Sequence, residues 1–242
     1  MIGEIVFIPG FMQRGSAWKR IAAAVAERYP SRCLDPAGTT RDERVGEILD
    51  ALAPGAVAVG YSMGGRLALD AALRDPGRLG ALVVVGVSAG IEDPAERVVR
   101  AEEDEALAAL IERSPIEEVV ERWERNPVFG TQSEALVAAQ RPGRLSHEPA
   151  ALAALLRSAG QGAMEPLWDR LAELSCPVLA VAGEHDERYS AAARRIAAAT
   201  GGNALVLAGA GHAPHLEQPD AFAAALLAFL ASHDPPRPAE RS

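Results

Sequence analysis

Cysteine is scarce in this chain of 242 residues: there are two, Cys33 and Cys176, far apart and each beside an apolar run. That spacing excludes a disulfide framework and reads as a pair of buried reduced thiols, the pattern of a cytoplasmic protein. Positive charge is also in deficit. Lys and Arg total 24 against 33 Asp and Glu, a formal charge of -9, which excludes a general affinity for nucleic acid or an anionic membrane surface. No apolar run reaches membrane-spanning length, and Met1 to Gly10 has neither the basic start nor the long apolar segment of a secretion signal. Internal repeats are absent, no Gly-Lys-Ser/Thr phosphate loop occurs, and the glycine spacing does not fit a dinucleotide site.

What the chain has in quantity is apolar residues, 49%, enough to fill one α/β core with a small insertion. Ile5 to Ile8, closed by Pro9-Gly10, predicts a strand opening into a turn. Ser16 is placed to cap a helix from Ala17 to Arg28; Arg32-Cys33-Leu34 predicts a short strand, and Thr40 a cap for a helix ending at Leu52. A strand from Ala56, a helix through Arg66 to Leu73 and a strand at Leu82 to Gly86 follow. The alternation then stops. Helical patterns at Ala95 to Arg113, Ile116 to Arg125, Ser133 to Gln140 and Pro149 to Ser158, separated by Pro or Gly, predict an inserted helical lid over 95–168. Strand Val178 to Ala182, helix Ala191 to Thr200, strand Ala204 to Leu207 and helix Pro219 to Leu230 resume the order. The predicted core is thus 1–94 with 169–233, and 234–242 is expected to be a flexible tail. Six strands joined by right-handed helical crossovers make a mainly parallel sheet flanked by helices, whose strand C-termini share one edge, the place for a ligand.

Three loops at that edge carry chemistry. Gly60-Tyr61-Ser62-Met63-Gly64 sits where a strand turns into a helix, the context in which Gly-x-Ser-x-Gly projects a serine hydroxyl from the sheet. A hydroxyl needs an imidazole to take its proton, and the imidazole needs a carboxylate to fix its tautomer. Gly183-Glu184-His185-Asp186 and Gly209-Ala210-Gly211-His212 follow later strands, so Ser62, Asp186 and His212 form the candidate catalytic triad in the order Ser, Asp, His. Glu184 and Glu187 are rival acids, and His185 and His215 rival bases. A metal on His212 and His215 lacks a third ligand, so no metal or other cofactor is expected. The amides of Met63 and Phe11, the latter after Pro9-Gly10, are the candidate oxyanion hole.

With these residues the chain resembles the α/β-hydrolase superfamily over nearly its whole length. Gly60-Tyr61-Ser62-Met63-Gly64-Gly65-Arg66, Arg97-Val98-Val99-Arg100, Trp123-Glu124-Arg125-Asn126-Pro127-Val128-Phe129, Gln140-Arg141 and Gly211-His212-Ala213-Pro214-His215-Leu216-Glu217 are similar to the 2-succinyl-6-hydroxy-2,4-cyclohexadiene-1-carboxylate synthase family of menaquinone biosynthesis. The resemblance implies a carbon–oxygen lyase: the triad, with Ser62 as base, removes a proton from a cyclohexene substrate and expels pyruvate. It also implies a small polycarboxylate substrate held by Arg66, Arg100 and Arg141, with Tyr61 and Trp123 beside it. Arg66 lies one helical turn beyond Ser62, and the other two arginines fall on the lid. The chain departs from the family at Pro9-Gly10, where His-Gly is usual, at Asp35-Pro36-Ala37-Gly38-Thr39, where Pro-Gly-His-Gly is common, and in having no leading antiparallel strands. The competing expectation is a carboxylester or thioester hydrolase with Ser62 as nucleophile; a non-catalytic binding protein would need a broken triad. A monomer or weak homo-oligomer is expected.

Overall fold

The computed structural model describes residues 2–234, so the predicted tail lies, from residue 235 onward, outside the described residues. In chain order the elements are β1 (Ile5–Ile8), a 3₁₀ turn (Gly15–Trp18), α1 (Lys19–Val25), β2 (Ser31–Cys33), α2 (Arg41–Ala51), β3 (Ala56–Tyr61), α3 (Met63–Arg74) and β4 (Leu79–Val85). Four helices then intervene, α4 (Pro94–Arg113), α5 (Ile116–Glu124), α6 (Glu134–Leu145) and α7 (Pro149–Ala159). The chain returns through β5 (Val178–Gly183), α8 (Glu187–Thr200), β6 (Asn203–Leu207), the short α9 (Pro214–Glu217) and α10 (Pro219–His233).

The six strands lie in the order β2-β1-β3-β4-β5-β6, every neighbouring pair parallel. β1, β3 and β5 are buried at every residue because helices cover both faces, which is why they read as unbroken apolar runs. Alternate side chains still go to opposite faces. Val6, Ile8, Ala58, Leu82 and Val84 join the core beneath α2, α3 and α7, while Ile5, Phe7, Val57, Val59 and Val83 join the core shared with α1 and α10. Each fully buried aliphatic side chain contributes about 1.5–3 kcal/mol, so the sheet is the rigid base for whatever its edge carries.

Several helix boundaries depart from the sequence reading: α1 ends at Val25, short of Arg28, and α10 runs past Leu230 to His233. Ser16 is not a cap: the segment opens as a 3₁₀ turn after Arg14, and the α-helix begins only at Lys19. The turn seats the fully buried Trp18 against Phe7, with ring centroids 5.1 Å apart. α6 runs on past Gln140 through Pro142 to Leu145. α8 starts at Glu187 instead of Ala191, which makes Asp186 its N-cap. Thr40 does cap α2, in a capping box with Glu43.

Candidate active site

Ser62 joins β3 to α3 with φ 49° and ψ -117°, a left-handed conformation that a side chain occupies at a cost of about 1–3 kcal/mol. The packing around it enforces the turn. A Cβ on Gly60 would lie 2.6 Å from the Cα of Gly65, and one on Gly64 would lie 2.2 Å from the Pro9 carbonyl oxygen, so side chains there would force the elbow away from the β1 loop. The Ser62 amide donates to the Val85 carbonyl at 2.8 Å and fixes the elbow to β4.

Asp186 and His212 arrive from the ends of β5 and β6. The Asp186 carboxylate takes the Nδ1–H of His212 at 2.7 Å, and its other oxygen faces the Tyr189 amide at 3.5 Å. With Nδ1 carrying its proton, Nε2 is left to accept, and the Ser62 hydroxyl stands 3.2 Å from it. Gly86, with φ 62°, clears space for the imidazole, since a Cβ there would sit 3.0 Å from His212 Cε1. The rival residues lie elsewhere. Glu184 accepts the Gly209 amide at 2.8 Å, and Glu187 and His185 are exposed. His215 is fully buried, 4.1 Å from the Trp18 ring and 4.6 Å from the Tyr61 ring, and burial holds it down at about 3, with the neighbouring His212 adding to the effect. It is a neutral packing ring. Among the described residues no group of three or more His, Cys, Asp or Glu is placed to hold a metal ion, and no helix is long and apolar enough to cross a membrane.

Phe11 and Met63, the two candidate oxyanion donors, both line a cavity of about 340 Å³ that opens on Ser62, Asp186 and His212. Among the described residues neither amide N–H has a backbone acceptor. The loop bearing Phe11 is tight: Gln13 N–H donates to the Gly10 carbonyl at 3.2 Å, and Met12 takes φ 57°. Tyr61, Arg66, Arg100 and Trp123 line the same cavity. Arg66 is buried against Met164 Sδ at 3.2 Å, with no carboxylate in contact among the described residues, and desolvation brings it down to about 10, still a cation near neutrality. Arg100 is aimed by the buried Asp104, which accepts its Nε–H at 2.8 Å and the Gly162 amide at 3.1 Å. Trp123 meets Phe11 and Phe129 edge-on, at 5.4 and 5.7 Å.

Arg141 is a correction. Its side chain is 41% exposed and pairs with Glu124, and it is not among the residues that line the cavity. The cavity arginine of α6 is Arg144, three residues on, its side chain 2% exposed and held by Glu124 at 3.1 Å and Gln140 at 3.1 Å. Arg188 and Tyr189, just inside α8, also line the cavity, and the Tyr189 ring lies 4.7 Å from His212. Glu124 gives no signal that separates Arg141 from Arg144, because its carboxylate pairs with both.

The sequence model of the alpha/beta hydrolase family matches residues 5–225. The chain belongs to the alpha/beta hydrolase family. Within this family it is similar to the 2-succinyl-6-hydroxy-2,4-cyclohexadiene-1-carboxylate synthase of Enterobacter sp., 32% identical over 243 residues that cover 93% of this chain and 91% of that protein. The putative synthase of the same name from Bacillus subtilis is 36% identical over 178 residues, 72% of this chain and 65% of that protein, just under two thirds of its length. Among solved hydrolase-fold structures, MenH from S. aureus matches with a TM-score of 0.90 at 28% identity, covering 96% of this chain and 94% of that one.

Proposed function

We propose that this chain is a carbon–oxygen lyase that eliminates pyruvate from a succinyl-enolpyruvyl-cyclohexene carboxylate, forming the cyclohexadiene for which its relatives are named, a step of menaquinone biosynthesis. Residues 95–168 act as a lid over the site. The observation that carries the reading is the composition of one cavity, where a hydroxyl–imidazole–carboxylate relay stands beside Arg66, Arg100 and Arg144. Burying a guanidinium without a counter-ion costs several kcal/mol, by order of magnitude, and a substrate carboxylate against Arg66 offsets that cost. The cations also give an anionic substrate a foothold on a protein whose formal charge is -9.

In this mechanism Asp186 holds the His212 tautomer, Nε2 draws the Ser62 proton, and the Ser62 oxygen removes a ring proton of the substrate. The freed electron pair moves along the ring as the carbon–oxygen bond to the enolpyruvyl group breaks. His212 returns a proton to the leaving group, which tautomerises to pyruvate. The amides of Phe11 and Met63 meet the negative charge that develops on the carbonyl next to the deprotonated carbon. No cofactor enters any of these steps. The cytoplasm suits such chemistry and the two free cysteines.

Pyruvate release from the enolpyruvyl precursor, followed with lactate dehydrogenase, tests the reading: wild type releases pyruvate and Ser62→Ala does not. Folded, pure protein that yields none rejects it. The alternative is a carboxylester or thioester hydrolase, which the free amides at Phe11 and Met63 would serve equally. Its signature is a burst from p-nitrophenyl acetate with an acyl adduct on Ser62, indifferent to loss of Arg100 and Arg144.

A further inference from the structure

Glu217, the last residue of α9, touches neither Ser62 nor Asp186 and does not line the cavity, yet its carboxylate is fully committed. Oε2 accepts the Gly211 amide at 2.8 Å and Oε1 the Ala213 amide at 2.9 Å, so one side chain fixes the backbone on both sides of His212. Oε2 also accepts the Thr131 hydroxyl at 2.7 Å. Thr131 comes from the inserted segment, two residues after Phe129, which lines the cavity wall. The approach is close: a Cβ on Gly211 would stand 2.1 Å from Thr131 Oγ1. Thus Gly211, the residue before His212, packs against the inserted turn, and one carboxylate oxygen accepts from both the Gly211 amide and the Thr131 hydroxyl.

We propose that Glu217 is a positioning residue for His212 and that the Thr131 hydroxyl ties the inserted helices to it, so that seating the roof of the cavity and setting the base are one event. Charge-assisted bonds from a carboxylate are stronger and more directional than neutral ones, which suits a bracket that must hold an imidazole to a fraction of an ångström. The inference rests on Ser62, His212 and Asp186 working as a triad, and is independent of which substrate they act on.

The test is the rate at which a fluorophosphonate labels Ser62, read by intact mass, since that reaction needs an activated serine and no natural substrate. Glu217→Gln keeps the shape but turns an NH₂ group towards one of the donors, and slows labelling roughly 10- to 100-fold. Thr131→Val, at an exposed position, slows it about 3- to 10-fold with the melting temperature unchanged, while Thr131→Ser restores the wild-type rate. In a Glu217→Ala background, where no acceptor remains, Thr131→Val adds nothing, because its partner is already lost. Wild-type labelling rates in both single variants, or effects that multiply in the double variant, overturn the proposal. Should Glu217→Gln fail to fold, the Thr131 pair decides alone. An unreactive wild type is a different result: it removes the triad reading, and this inference with it.

Discussion

Ser62 holds a Cβ in a backbone region that glycine enters freely, so removing the hydroxyl and removing the Cβ have separable consequences. Ser62→Ala keeps the strain and Ser62→Gly releases it. We expect the Gly variant to be more stable than the Ala variant by about 1 kcal/mol in urea unfolding, the reverse of the order inside a regular element, with both devoid of triad chemistry. An Ala variant that proves the more stable of the two would mean that no strain is stored at the elbow. That Ser62, Asp186 and His212 share one edge was legible in the sequence because each lies within a few residues of a strand end: Ser62 after β3, Asp186 after β5, His212 after β6. Short loops on a rigid sheet leave little freedom in where such residues go. The choice between His212 and His215 was less legible, since both fall in the segment between β6 and α10. It is decided by what surrounds each ring, a carboxylate for His212 and the faces of Trp18 and Tyr61 for His215.

At the level of elements, the sequence reading ends α6 too early, at Gln140. Pro142 reads as a stop because proline removes a backbone donor and clashes with the preceding turn, yet α6 continues for three residues beyond it. Tertiary contacts outweigh that cost: Arg144 lies buried between Glu124, Gln140 and the Phe129 ring, its guanidinium 5.4 Å from the ring centroid. Arg141 is named from the resemblance and lies, like Arg144, beyond Gln140, so a helix ended there favours neither arginine. The late start given to α8 hid Arg188 and Tyr189, because a charged first turn resembles a loop when its cap, Asp186, is read only as a catalytic acid. The two arginines of α6 therefore make a paired test. Arg144→Ala should lower kcat/KM for pyruvate release by the value of a desolvated charged contact, about 2–5 kcal/mol or some 30- to 5000-fold, whereas Arg141→Ala should stay within about threefold. A large effect at Arg141 with a small one at Arg144 would return the substrate contact to Arg141.

Seen as a whole, the protein combines a net negative charge with a cavity lined by arginines, two of them buried, and two histidines that the fold keeps neutral. His215 is pushed down to about 3 by burial, and His147 to about 4 by burial and by the nearby Arg14 and Arg44. Both folded values lie below the ordinary histidine value of about 6.5, so as pH falls the unfolded chain takes up these protons first. The stability linked to each is therefore fully present above pH 6.5 and is lost as pH drops towards the folded value. His215 alone, wholly enclosed and with neither ring nitrogen partnered, should remove about 1.4 kcal/mol per pH unit between pH 6 and 4.5; the partly exposed His147 acts in the same direction. Substituting His215→Leu deletes the proton-binding group and two unsatisfied buried nitrogens while retaining an apolar side chain beside Trp18 and Phe222. Urea unfolding of the two proteins across that window should give a shallower slope for the variant and a stability advantage that grows as the solution becomes more acid. Parallel profiles would show that His215 is protonated in the folded protein, and hence that the aromatic pocket behind the active site admits a charge and the water to support it.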